Sequence, residues 1–107
     1  MEHINKIELR GTVGTVRSAM AGDAQVVHFS LVTNILQPKN SNVETTWINV
    51  DAWSGSIPAE TLNAIQKGRL VHLIGRLRSV RYTTANGEER SSYEVVARQL
   101  ELVEDRD

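Results

Sequence analysis

This 107-residue chain has no cysteine, which excludes a disulfide framework, a thiol nucleophile and a thiolate metal site. Its three histidines, His3, His28 and His72, are scattered, so neither a metal nor any other cofactor is expected. No apolar run approaches the roughly 18 residues of a membrane-spanning helix. The start, Met1-Glu2-His3-Ile4-Asn5-Lys6, carries no apolar signal core, and a cytoplasmic placement is expected. A nucleophile with its base, a clustered carboxylate set and a phosphate-cradling glycine loop are all missing, so the chain does not read as an enzyme. Proline occurs twice and glycine seven times against 40% apolar content, the balance of one folded domain rather than a disordered segment.

Excess charge of either sign is missing too, since the formal net is −1. Its distribution is uneven. Residues 67–90 carry six bases (Lys67, Arg69, Arg76, Arg78, Arg81, Arg90) against Glu88 and Glu89, a local +4. The stretches 1–66 and 91–107 are net negative. Local fields steer ligands more than the total does.

Aromatics are few: two Trp, two Tyr and one Phe. Both tryptophans fall in one alternating segment, Trp47-Ile48-Asn49-Val50-Asp51-Ala52-Trp53. Side chains in a strand alternate sides. Ile48, Val50 and Ala52 therefore share the apolar face, and Trp47 and Trp53 share the other with Asn49 and Asp51. Arg76, Arg78 and Tyr82 share a parity on a second strand. Exposed aromatics beside cations suit a single-stranded nucleic acid, while burial at a subunit contact is the competing role for the tryptophans. Asp51, between them, would repel phosphate; a hydrogen bond from a base and a pair with an arginine both remain open. Tyr93 has the parity of Val95 and Ala97, consistent with core, and His72 reads as a surface histidine.

The rest of the chain is mostly strand. Alternation predicts a first strand over about Ile4 to Arg17, bent at Gly11 and Gly14, then turn-like residues from Ala19 to Asp23. Val27, Phe29 and Leu31 mark a second strand, and Gln37-Pro38-Lys39-Asn40-Ser41-Asn42 a polar loop. The third strand is Glu44 to Trp53. Pro58 opens a short helix with Leu62 and Ile65 on its apolar stripe and Gly68 at its end. Leu70 to Tyr82 is a long fourth strand, Asn86-Gly87 a hairpin turn, and Glu89 to Leu102 the fifth strand, with a bulge signalled near Gln99. Five strands, one helix between the third and fourth, and a bent first strand describe an all-β OB-fold, a five-stranded Greek-key barrel.

Over about Asn5 to Glu104 the chain resembles bacterial single-stranded DNA-binding proteins. The matching stretches are Asn5-Lys6-Ile7-Glu8-Leu9-Arg10-Gly11-Thr12-Val13-Gly14, Phe29-Ser30-Leu31-Val32-Thr33, Thr46-Trp47, Lys67-Gly68 with Val71, Gly75 and Leu77, and Asn86-Gly87 with Tyr93-Glu94-Val95-Val96. The resemblance implies one domain over 1–104 that binds single-stranded DNA without catalysis, in replication, recombination or repair, as a homo-oligomer with a tetramer favoured over a dimer. It implies base stacking on Trp47, Trp53 and Tyr82, and phosphate contacts from Arg76, Arg78, Arg81, Lys6 and Arg10. A further stacking tryptophan frequent in the family is missing near Asn34-Ile35-Leu36-Gln37. The acidic end 105–107 lacks the family's long tail, so recruitment of other proteins through such a tail is not expected. A dimeric accessory protein like primosomal replication protein N, with a comparable Leu100-Glu101-Leu102-Val103-Glu104 ending, is the alternative, and an OB-fold protein-interaction module the third reading.

Overall fold

The computed structural model describes residues 2–104; the acidic end assigned to 105–107 lies outside them. Five strands, β1 (Ile7–Ala21), β2 (Ala24–Leu36), β3 (Val43–Trp53), β4 (Leu70–Thr83) and β5 (Glu89–Val103), close into a barrel in the order β1-β2-β3-β5-β4. One helix, α1 (Ala59–Asn63), joins β3 to β4. Neighbouring strands are antiparallel except β3 and β5, which run parallel through Val50↔Val95, Asp51↔Val96 and Ala52↔Ala97. The five-stranded barrel with its single inserted helix is the architecture that the alternation and turn signals describe.

Alternation decides the core. Val27, Phe29 and Leu31 from β2, Val50 and Ala52 from β3, Val71 and Leu73 from β4 and Val95 and Ala97 from β5 are all buried. Ile57, Leu62 and Ile65 join them from the β3–β4 connection. Fully burying each such aliphatic side chain contributes about 1.5–3 kcal/mol. The helix is only five residues long and ends at Ala64, short of Gly68. Gly68, at φ 89°, instead shapes the loop that closes the barrel. Its N–H donates to Val13 O at 2.9 Å, and Val13 N–H donates to Arg69 O at 2.9 Å.

β1 differs from the alternation reading at both ends. β1 starts at Ile7 and continues to Ala21, so the turn shrinks to Gly22-Asp23 between the pair Ala21↔Ala24. A slip in register lets it bend on the way. Val13 faces Leu31 and Val16 faces Phe29, so Gly14 and Thr15 together oppose Ser30. The Ser30 hydroxyl accepts the Thr15 N–H at 2.8 Å, replacing the ladder bond that the bulge breaks. In β5 the bulge residue is Arg98, because Ile74 pairs with Gln99 and Gly75 with Ala97. A Cβ on Gly75 would collide with the Val96 carbonyl, so only glycine fits where β4 passes the bulge.

Tyr93 is not core. β1 follows β4 only as far as Gly75, and β3 follows β5 only around Val95 to Ala97. Beyond those points β4 and β5 pair only with each other, as a ribbon that outruns the barrel. Tyr93 keeps the inward parity of Val95, but there is no core at that height, and it is 64% exposed.

Candidate nucleic-acid interface

The outward face of β3 carries Trp47, Asn49, Asp51 and Trp53, with Val32, Ser30, His28 and Val26 directly across on β2. Trp47 is 62% exposed and lies over Gly14 of β1: a Cβ there would stand 2.7 Å from the indole Cζ3. The missing side chain at the β1 bulge is what leaves room for the ring. Trp53 is half-buried opposite the buried Val26, so it offers less open surface than Trp47.

Asp51 departs from its expected surroundings. It has outward parity yet is only 4% exposed. Neighbouring side chains cover it: His28 Nδ1–H donates to its Oδ1 at 2.5 Å, and the Arg78 guanidinium lies 4.0 Å from its Oδ2. The arginine pair left open by the alternation is therefore present, at long range, and a histidine makes the direct contact. Arg78 is held more closely by Glu94, its cross-strand partner, at 2.5 Å. Hydrogen bonding with the Asp51 carboxyl, and then burial, push the Glu94 pKa above its ordinary value, against the pull of Arg78. This cluster borders a depression of about 450 Å³ whose lining includes Arg17, His28, Ser30, Asn49, Asp51 and Glu94. Among the described residues no group of three or more His, Cys, Asp or Glu is arranged to hold a metal ion.

On β4, Arg76, Arg78, Val80 and Tyr82 share the outward face. Tyr82, at 48% exposure, stands directly across from Arg90, so an aromatic ring and a guanidinium sit side by side on the ribbon. Arg90 also donates to Glu88 at 2.8 Å. Arg81 is exposed on the opposite face of the ribbon, with Tyr93. Asn5 donates to Leu77 O at 2.6 Å and accepts from Leu77 N–H at 2.9 Å, extending the β1–β4 edge by one side chain. Lys6, between Asn5 and the pair Ile7↔Gly75, is thereby set beside Arg76. Arg10 pairs with His72, two residues from Thr12, whose row crosses Val32 to Trp47.

His72 is more than a solvated histidine. Its Nε2–H donates to Glu8 at 2.6 Å and its Nδ1–H to Glu101 at 3.3 Å. With a carboxylate on each nitrogen the charged ring is favoured, and its pKa rises above 6.5, first through Glu8 and then through Glu101.

The structure thus gathers Trp47, Trp53, Arg76, Arg78 and Tyr82 on one connected outer surface, with Lys6 and Arg10 at its β1 border and Arg81 behind the ribbon. Alternation missed Arg90, Arg98 and the exposure of Tyr93. A two-residue Asn86-Gly87 turn would set Tyr82 opposite Ser91; the loop instead spans Ala85-Asn86-Gly87 between Thr84 and Glu88, which brings Arg90 across from Tyr82, and Arg98 needed the exact site of the bulge.

Comparison with known proteins gives the same architecture. A solved complex of the Plasmodium falciparum SSB with single-stranded DNA superposes with a TM-score of 0.77 at 23% identity, covering 97% of this chain and 98% of that one. Single-stranded DNA-binding proteins from two strains of Neisseria meningitidis, of serogroups A and B, are each 31% identical over 106 residues, which is 94% of this chain. The chain spans 60% of the length of those relatives. Residues 4–103 match the model of the Single-strand binding protein family, and the chain belongs to that family.

Proposed function

We propose that this chain binds single-stranded DNA with little regard to sequence and without catalysis, serving replication, recombination or repair. The observation that carries the reading is the outer surface itself: Trp47 open over Gly14, Tyr82 beside Arg90, and Arg76 exposed near Lys6. Stacking on aromatic rings accepts any base because every base has a π-face, and cations along the same track neutralise the backbone. The names of the Neisseria relatives and the ligand of the Plasmodium complex point the same way. Trp47, Trp53 and Tyr82 would serve as platforms, with Arg76, Lys6 and Arg10 as phosphate contacts. Arg78 would contribute only after leaving Glu94, and Arg81 would meet a strand that passes behind the ribbon.

Self-association belongs to the reading, with a tetramer favoured over a dimer. Exposed Ile4 and Met20 give apolar surface for subunit contacts. Light scattering of the purified protein decides between the two masses. No helix among the described residues is long and apolar enough to cross a membrane, and we place the activity in the cytoplasm.

Titration with oligo-dT at low salt tests the function. Tryptophan fluorescence should be quenched saturably, and binding should weaken with salt at a log–log slope of about −0.7 per phosphate contact. Absence of quenching at low salt, or equal affinity for duplex DNA, defeats the reading.

A further inference from the structure

Where the turn after β3 meets β4 and β5, the barrel surface has a hollow of about 200 Å³ lined by Asn5, Ser56, Arg76 and Arg98, with Gly75, Val96 and Ala97 completing its wall. Three features single it out. First, Arg98 is the bulge residue of β5, without a partner on β4. The parallel pairing of β3 with β5 ends at Ala52↔Ala97, one residue before Trp53 on β3 and Arg98 on β5. Second, neither Arg76 nor Arg98 has a carboxylate within salt-bridge distance among the described residues, and neither has Lys6, which flanks Arg76. The sequence holds 13 acids against 12 bases, so three neighbouring cations without an acid are not a matter of supply. The acids closest in register, Asp51, Glu94 and Glu8, are occupied by His28, Arg78 and His72. Third, Ser56 brings a hydroxyl to the rim of the hollow. Its position is set by the turn in which its N–H donates to Trp53 O at 3.0 Å.

We infer that this hollow is a phosphate subsite for single-stranded DNA, holding the backbone phosphate of the nucleotide whose base stacks on Trp53. The inference rests on the proposed function and deepens it. Two guanidiniums and a hydroxyl match the acceptor oxygens of a phosphodiester, and guanidinium groups recognise phosphate through several N–H donors at once. Its place at the turn that follows Trp53 gives this half-buried ring a role distinct from that of Trp47. Trp53 offers less open ring, and a neighbouring phosphate clamp offsets that loss. Free phosphate presents the same chemistry, but it brings no base for Trp53, so the subsite needs the polymer.

The test is the salt dependence of oligo-dT binding by the full chain, followed by tryptophan fluorescence, for wild type, the double variant Arg76→Ala/Arg98→Ala, Arg98→Ala, Arg98→Lys and the control Arg69→Ala. Arg69 is an exposed arginine preceding β4 and away from the hollow. Loss of two phosphate contacts should flatten the double variant's slope by about 1.4, so that its affinity changes about 25-fold less than that of wild type over a tenfold range of salt. Quenching at saturation should persist, because the rings remain. Arg98→Ala should flatten the slope by about 0.7, and Arg98→Lys should restore most of it. An unchanged slope in the double variant, or an equal flattening in Arg69→Ala, overturns the subsite. So does retention of inorganic phosphate alone by wild type, lost in the double variant without any change in the oligo-dT slope, which would make the hollow a free-anion site. A wild type that ignores oligo-dT removes the proposed function, and this inference falls with it. Wild-type binding with the slope intact in the double variant removes the inference alone.

Discussion

Replacing Glu94 with glutamine should tighten the binding of single-stranded DNA, although it weakens a contact within the protein. The Glu94 carboxylate holds the Arg78 guanidinium at 2.5 Å. In the free protein that charge is neutralised at the centre of the aromatic surface, and a phosphate reaching Arg78 must first displace a carboxylate. Glutamine keeps the shape and removes the competition. One released cation adds one phosphate contact, which steepens the salt slope by about 0.7 and raises affinity about fivefold for each tenfold dilution of salt. Stability should move little, since the Arg78 side chain is 45% exposed, pairs near the surface are worth about 0–1 kcal/mol, and glutamine removes a partly covered charge. The variant also relieves the crowding of Glu94 against the Asp51 carboxyl. The assay is fluorescence titration with oligo-dT over a series of salt concentrations at mildly alkaline pH, with thermal melts as the check on folding. A slope equal to or shallower than that of wild type, in a folded variant, refutes the reasoning. The pH dependence gives a second reading. The Glu94 pKa is raised, so as pH falls through that value wild type protonates Glu94 and frees Arg78 itself, and the two slopes should converge.

Trp47→Ala should lose about 1–3 kcal/mol of binding, roughly 5- to 150-fold in affinity, and most of the fluorescence response, while leaving the melting temperature near that of wild type because the ring is largely exposed; unimpaired oligo-dT binding contradicts its use as a platform. Tyr93→Ala should likewise leave stability within about 0.5 kcal/mol of wild type, whereas Leu31→Ala, at a fully buried site, should cost about 2–5 kcal/mol in denaturant unfolding. Equal losses for these two would return Tyr93 to the core. His72 supplies a pH test: because its folded pKa is raised, its contribution to stability is fully present below pH 6.5 and is lost as pH rises through the folded value. His72→Gln should therefore remove part of the decline in melting temperature on the alkaline side of that range, and an unchanged profile counts against the Glu8–His72–Glu101 ladder.

Strand parity made much of this molecule legible. It separated Val50 and Ala52 from Trp47 and Trp53, located the five strands, and signalled the irregularity in β5. Parity describes a side, not an environment. Tyr93 and Val95 share a side, but one lies beyond the barrel and the other inside it. Asp51 and Trp47 share a side, but His28 and Glu94 cover the first, while Gly14 gives the second room. Ile57 lies before the helix, where no periodicity marks it, and its burial follows from how the connection folds against the barrel. Arg98 was within one residue of the signalled bulge. Its role depends on which of three consecutive residues is the unpaired one, and only the register with β4 decides that.

Gly14 has a consequence for the behaviour of Trp47 before any ligand arrives. An indole on an open strand face would sample several rotamers, and each binding event would have to freeze one of them. Here the ring already rests on bare backbone at the β1 bulge. Under the proposed function, much of its ordering would accompany folding instead of binding, an incoming base would meet a prepared surface, and the complex would lose less rotational freedom. The glycine takes no part in contacting the base. It would let a scarce aromatic act as a prepared tabletop for that function, which matters most in a chain with only two tryptophans to offer.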